Sequence, residues 1–229
     1  MKTSLPPSTH ARQAQAVFKE LKKSYPNAQC ALHYRNSFEL LCAVVLSAQT
    51  TDVAVNRITS ALFAAYPTAE TLAKADPQHV QTLIATIGMY RQKAKHLLGL
   101  ATKLVEHHHG QVPNQLDDLI QLPGVGRKTA NVVLGVAFGK VEGIAVDTHV
   151  QRLSQRLGWT QKTNPRQIEQ DLCQIFPKKQ WICVNHVLVL HGREICFARK
   201  PACHQCPIQT KCPNAFRAES AGRKSNRAL

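Results

Sequence analysis

The chain has no uninterrupted apolar run of about 18 residues, so no segment is expected to cross a membrane as a helix. Its opening MKTSLPPSTHARQ has no apolar core and does not read as a secretory leader. The expected compartment is therefore a reducing one, the cytoplasm, where disulfides do not persist. Acidic residues are scarce: 14 Asp plus Glu stand against 29 Lys plus Arg, a formal charge of +15. That imbalance points to a polyanionic partner, nucleic acid first. A membrane-surface role would need an amphipathic helix with a uniformly cationic face, and none is found. No stretch alternates convincingly with period two, and no repeat of fixed period recurs, so sheet and solenoid architectures drop out.

What is present is helical periodicity. Hydrophobic residues make up 44% of the 229 residues, enough for the core of one large domain or two small ones. Val80, Leu83, Ile84 and Ile87 follow an Asp76-Pro77 start, with Gly88 as a stop. Ala94, Leu97, Leu98, Ala101 and Val105 repeat the spacing, as do Ile168, Leu172 and Ile175 between Asn164-Pro165 and Pro177. The segment 38–49, FELLCAVVLSAQ, is apolar on every side, which predicts a helix at the centre of a bundle. Asp52 is positioned to cap the next helix, which carries Val55, Ile58, Leu62 and Phe63. The expected fold class is all-α, with about ten helices joined by short turns.

Between Leu116, Leu119 and Ile120 on one side and Ala130, Val133, Leu134 and Ala137 on the other lies PGVG, a tight turn. This makes a helix-hairpin-helix. The amides of Gly124, Val125 and Gly126, with the helix N-terminus behind them, are candidates for holding a phosphate. The plainer reading is a turn between packed helices. Lys128 follows in the first helical turn, where the positive end of the helix disfavours its charge. With Asn131 it falls opposite the apolar stripe and is expected to point outward. It is either one more phosphate contact or an amine put to chemical use. A nucleophilic lysine needs a shift of about three units from 10.4, roughly 4 kcal/mol, whereas a helix terminus supplies about 0.3–1 kcal/mol. Desolvation or a carboxylate must do the rest.

Asp147, in GIAVDTHV, opens a helix bearing Val150, Leu153 and Leu157. On pattern it is an N-cap, which does not preclude catalysis. His149 is not distinguishable from a helix-surface histidine, and His107-His108-His109 reads as polar padding at a helix end. Cys30, Cys42, Cys173 and Cys183 read as ordinary buried thiols. Cys196, Cys203, Cys206 and Cys212 form C-x6-C-x2-C-x5-C, a metal site whose spacing suits a structural zinc and an iron-sulfur cluster equally. From His191 onward there are eight Lys or Arg and two Glu. The last dozen residues are expected to be a solvated tail.

LPGVGRKTANVV, AVDTHV and the four cysteines, in that order, resemble the endonuclease III family of DNA glycosylases across nearly the whole chain. The resemblance implies a two-domain helix-hairpin-helix glycosylase fold. A six-helix barrel would span 30–141, and an iron-sulfur cluster domain would be built from 1–29 and 142–229. It implies Lys128 as nucleophile, Asp147 as catalytic carboxylate and a [4Fe-4S] cluster on Cys196, Cys203, Cys206 and Cys212. Gln49 and Met89 would fill the gap left by an extruded base; the family usually has leucine at the second position. The implied activity is removal of oxidised or ring-saturated pyrimidines from damaged double-stranded DNA, with strand cleavage by β-elimination. The implied enzyme is a bacterial-type, nucleoid-associated monomer. The connection from Lys128 to Asp147 is one residue longer than the common pattern, in the turn at Glu142. Arg199, Lys200 and Lys211 are expected to meet phosphates. Two rivals remain: an adenine-mismatch glycosylase, which generally lacks the hairpin lysine and carries a further C-terminal domain, and a zinc-holding DNA-binding module without catalysis.

Overall fold

The computed structural model describes residues 8–217, and the expected C-terminal tail lies outside them. Among the described residues every regular element is helical. The chain divides into two compact units, Cys30–Glu142 and Met1–Gln29 together with Gly143–Leu229.

The Met1–Gln29 and Gly143–Leu229 unit contains α1 (Thr9–Ser24), three later α-helices and short turns. α1 begins where Ser8 accepts the Ala11 amide at 3.2 Å and ends with Lys22 and Lys23 at its negative terminus. Its buried residues Ala11, Ala14, Phe18 and Leu21 recur at helical spacing.

In the Cys30–Glu142 unit, α2 (Ser37–Leu46) is the centre. All its residues from Phe38 to Leu46 are buried, and α3 (Asp52–Ala65), α6 (Tyr90–His108) and α8 (Arg127–Phe138) pack on it. Such all-round burial is what an apolar helix without a polar face requires. Its one acid, Glu39, is satisfied by the Arg35 guanidinium at 2.6 Å and the Arg35 amide at 2.7 Å. α4 (Ala69–Ala73), α5 (Pro77–Ile84) and α7 (Leu116–Leu119) complete the unit.

Several expectations need correction. Thr51, not Asp52, caps α3: its hydroxyl accepts the Ala54 amide at 3.3 Å, and Asp52 begins the helix. α5 starts at Asp76-Pro77 as the pattern indicates, but ends at Ile84 with Ala85 as its cap, ahead of Gly88. On α6 the inward stripe is Leu97, Leu100, Ala101 and Leu104, while Val105 is exposed. The described residues hold eleven α-helices, in line with the expected ten or so. Of the four scattered cysteines only Cys42 is fully buried.

In the other unit α1 packs on α10 (Pro165–Ile175) and α11 (Trp181–Glu194), and α9 (Thr148–Arg156) packs on α11. Phe18, Phe176 and Trp159 stack edge to face at 5.2 and 5.1 Å between ring centres, joining α1 to the chain around α10. After α11 come short 3-10 turns at Cys203–Gln205 and Gln209–Lys211.

Candidate functional site

In the Cys30–Glu142 unit the hairpin is a turn followed directly by a helix. The Leu122 amide donates to the Leu119 carbonyl and the Val125 amide to the Leu122 carbonyl, each at 3.1 Å. Val125 is buried. Its amide is thus spent inside the hairpin and is not offered outward as the sequence suggested. The exposed amides of Gly124 and Gly126 take no backbone partner, and the first turn of α8 adds its own orphan donors. Gly124 has φ +78°, and a Cβ there would lie 2.9 Å from the His96 ring, so glycine is required twice over. Gly126 faces open space.

Lys128 occupies the second position of α8. Its side chain is exposed and takes no hydrogen bond or ion pair among the described residues. Asn131, expected beside it on the outer face, is instead buried at 7% exposure, because it shares the inward side of α8 with Leu134 and Gly135. Gln49 and Met89 are both exposed, and both hold left-handed backbone, φ +53° and +56°. Gln49 lies in the loop between α2 and α3, and Met89 is the residue from which α6 begins.

Asp147 belongs to the other unit, where it is the N-cap of α9. Its Oδ1 accepts the amides of His149 and Val150, each at 2.8 Å. Both bonds use one oxygen, so the cap fixes the carboxylate while leaving Oδ2 outside it. His149 stays within its own unit: its Nδ1 lies 3.1 Å from the Arg152 guanidinium, its ring packs on Gly192, and burial lowers its pKa.

Cys196, Cys203, Cys206 and Cys212 line one cavity, walled by Leu153, Leu157, Ile195 and Ile208. Arg156 reaches it from α9, 2% exposed, its Nη1 3.3 Å from Cys196 Sγ and 2.6 Å from the Phe197 carbonyl. His191 Nε2 lies 3.5 Å from Cys206 Sγ, and its Nδ1 3.1 Å from the Tyr25 hydroxyl. Burial pushes the Cys206 thiol up to about 11, with the neighbouring cysteines adding to the rise. Four thiolates gathered here without a cation would repel one another in an apolar setting. Of the basic residues nearby, Arg199 and Lys200 are exposed, while Lys211 pairs with Glu20 at 3.4 Å.

The family described as HhH-GPD superfamily base excision DNA repair protein matches residues 42–178. The iron-sulfur binding domain of endonuclease III matches residues 196–212. Endonuclease III of Synechocystis sp. is 48% identical over 89% of this chain and 93% of its own length. This chain belongs to the endonuclease III family. Endonuclease III of Bacillus subtilis is 42% identical over 92% of this chain and 96% of that protein. A solved structure of a trapped endonuclease III–DNA covalent intermediate, an estranged-adenine complex, aligns with a TM-score of 0.86 at 42% identity. The alignment covers 90% of this chain and 97% of that one.

As a member of the endonuclease III family the chain is a DNA-binding base excision repair enzyme, a DNA glycosylase and AP lyase of the all-helical helix-hairpin-helix fold. It carries a [4Fe-4S] cluster, and the zinc-holding, non-catalytic alternative falls away. The thiol-lined cavity fits that group. Four thiols lining one cavity are the donor set that a four-iron cluster takes. Among the described residues no helix is long and apolar enough to cross a membrane.

Lys93, Arg156 and His191 were not singled out from sequence. Two of them had a faint signal. Lys93 stands at the head of the α6 stripe, four residues before Leu97, and Arg156 three after Leu153 on α9, positions where helical spacing calls for apolar side chains.

Proposed function

We propose that this enzyme removes oxidised or ring-saturated pyrimidines from damaged double-stranded DNA and then cuts the strand at the vacated sugar. It acts as a monomer in the cytoplasm, at the nucleoid. The observation that carries this reading is the exposed, unengaged amine of Lys128 on the helix behind the PGVG hairpin. It stands in a chain whose 42%-identical relative has been captured in a covalent DNA intermediate.

The chemistry follows from these parts. A base stacked in a duplex hides its glycosidic carbon, so the nucleotide must be flipped out, at a few kcal/mol that damage lowers. Gln49 and Met89 occupy the vacated space. The amides of Gly124 and Gly126, with the α8 N-terminus, grip a phosphate and set the strand's position without reading its sequence. Asp147 takes a proton from the Lys128 ammonium through Oδ2. The freed amine attacks C1′ as the C1′–N bond breaks and the base leaves with the electron pair. The same carboxylate stabilises positive charge building on the sugar. Loss of the ring oxygen's bond to C1′ gives a Schiff base, which acidifies the C2′ proton. Its removal expels the 3′ phosphate by β-elimination.

Cys196, Cys203, Cys206 and Cys212 hold the [4Fe-4S] cluster. The bound cluster would offset part of the thiolates' charge and tie the last described turns to the end of α11, and no step of the sugar chemistry passes through it.

Borohydride reduction of the enzyme with a duplex containing an oxidised pyrimidine tests the central role. A covalent adduct is expected with the native chain and none with Lys128→Ala. An adduct of undiminished yield in Lys128→Ala would move the nucleophile to another amine.

A further inference from the structure

Lys93 is 3% exposed, yet it is a lysine, and among the described residues no carboxylate pairs with it. Its Nζ donates to Thr50 Oγ1 at 2.6 Å. A buried ammonium with one hydroxyl partner is costly, and an apolar side chain at this stripe position would not carry that penalty. Burial accordingly lowers its pKa.

The two ends of this bridge are informative. The Lys93 amide donates to the Met89 carbonyl at 3.0 Å, so Lys93 closes the first turn of α6 on the residue that begins it. Thr50 follows Gln49 directly, in the loop between the end of α2 and the Thr51 cap of α3. Met89 and Gln49 both hold left-handed backbone that side-chain-bearing residues rarely adopt, and such conformations persist only where surrounding contacts enforce them. Lys93 contacts both segments at once, through its backbone on one side and its ammonium on the other.

We propose that Lys93 is a positioning residue for duplex invasion: by joining the first turn of α6 to Thr50 it holds the Met89 turn and the Gln49 loop in one arrangement, so that both side chains enter the DNA together. This rests on the reading that Gln49 and Met89 fill the gap left by the extruded base. Lys93 itself touches no reacting atom. Its removal leaves the Lys128 chemistry in place and slows the step that precedes it.

The test uses a duplex with a stable tetrahydrofuran abasic analogue opposite 2-aminopurine, whose fluorescence reports invasion without any chemistry. Lys93→Met and Thr50→Val are each expected to slow the fluorescence step on the order of ten-fold, the scale of one hydrogen bond to a charged group. Thr50→Ser, which keeps the hydroxyl, should recover most of that loss. In a Gln49→Ala/Met89→Ala background, Lys93→Met should add nothing further. Wild-type invasion rates in both Lys93→Met and Thr50→Val would overturn the proposal, as would a Lys93→Met effect that persists in the double-alanine background. If the double-alanine enzyme itself invades like wild type, the gap-filling reading fails first and takes the proposal with it. Thr50→Val alters a partly exposed loop residue, so it reports on the bridge even where Lys93→Met impairs folding.

Discussion

Gly126→Ala separates the hairpin's role in DNA binding from its role in the fold. Gly126 has φ −91° and ψ 173°, extended backbone that alanine adopts freely. A Cβ built there meets nothing within 4 Å. Neither strain nor collision follows, and the folding cost reduces to the weaker N-cap preference of alanine, about 0.5–1 kcal/mol. For a chain of this size that lowers Tm by roughly 1–4 °C. The open space, however, is where a phosphate oxygen must come to reach the amides at the start of α8. A methyl group in that space holds the oxygen away from donors worth about 1.5–3 kcal/mol each when the acceptor is charged. The Kd for duplex DNA should therefore rise roughly 10- to 150-fold. Gly124→Ala makes the contrasting control. At φ +78° the substitution costs about 1–2 kcal/mol of backbone energy. Its Cβ would also fall 2.9–3.0 Å from the His96 ring, so the fold must give. Fluorescence anisotropy on a duplex with an uncleavable abasic analogue, at one salt concentration and paired with thermal melting, reads both effects. Binding by Gly126→Ala within about two-fold of wild type, with an unchanged melt, would remove the phosphate from this hairpin.

Other expectations follow from single contacts. Asp147→Asn keeps a good N-cap for α9, so thermal stability should stay within a few tenths of a kcal/mol while turnover falls about 10²- to 10⁴-fold; unfolding of this variant would leave the residue with only its capping role. Affinity for duplex DNA should fall linearly in log–log form with salt, by about 0.9 per phosphate neutralised, and a flat response in titrations would take the +15 charge out of the account. Cys203→Ala should lose visible absorbance and lower the melting temperature, because the cavity among α9, α11 and the last described turns then lacks its filling; retained colour would reassign that ligand.

The helices were legible because their signals are local. Asp76-Pro77 and Asn164-Pro165 start helices through side-chain oxygens bonded to amides two and three residues on, a chemistry written into adjacent letters. The apolarity of residues 40–46 likewise has one outcome, burial on every side. Motif order made the hairpin, Asp147 and the four cysteines visible. What remained hidden depends on contacts distant in sequence. Lys93 and Thr50 are separated by 43 positions, and Arg156 and the Cys196 sulfur by 40. Asn131 was misjudged for a related reason. The buried sector of α8 takes in Asn131 and Gly135 beside Ala130 and Leu134, wider than its apolar stripe alone, and a polar residue inside that sector gives no warning.

The distribution of helix caps bears on where DNA is met. In the Cys30–Glu142 unit, α2, α3 and α5 each have a side chain bonded to their first free amides, from Asn36, Thr51 and Asp76. α6, α7 and α8, whose N-caps are Met89, Gln115 and Gly126, have none. An uncapped terminus forgoes about 1 kcal/mol of local stability and leaves its first amides to solvent or to a ligand. Where the ligand is a phosphate, a capping oxygen would compete for the same donors, so the absent caps cost the free enzyme something that the bound duplex returns. Asp147 is the converse case. There the cap is a carboxylate whose one oxygen fixes α9 while the other stays outside the cap, so capping does not conflict with the proposed chemistry. Under the proposed mechanism the uncapped start of α8 leaves amides for a phosphate, and the cap at Asp147 leaves one carboxylate oxygen for the sugar chemistry.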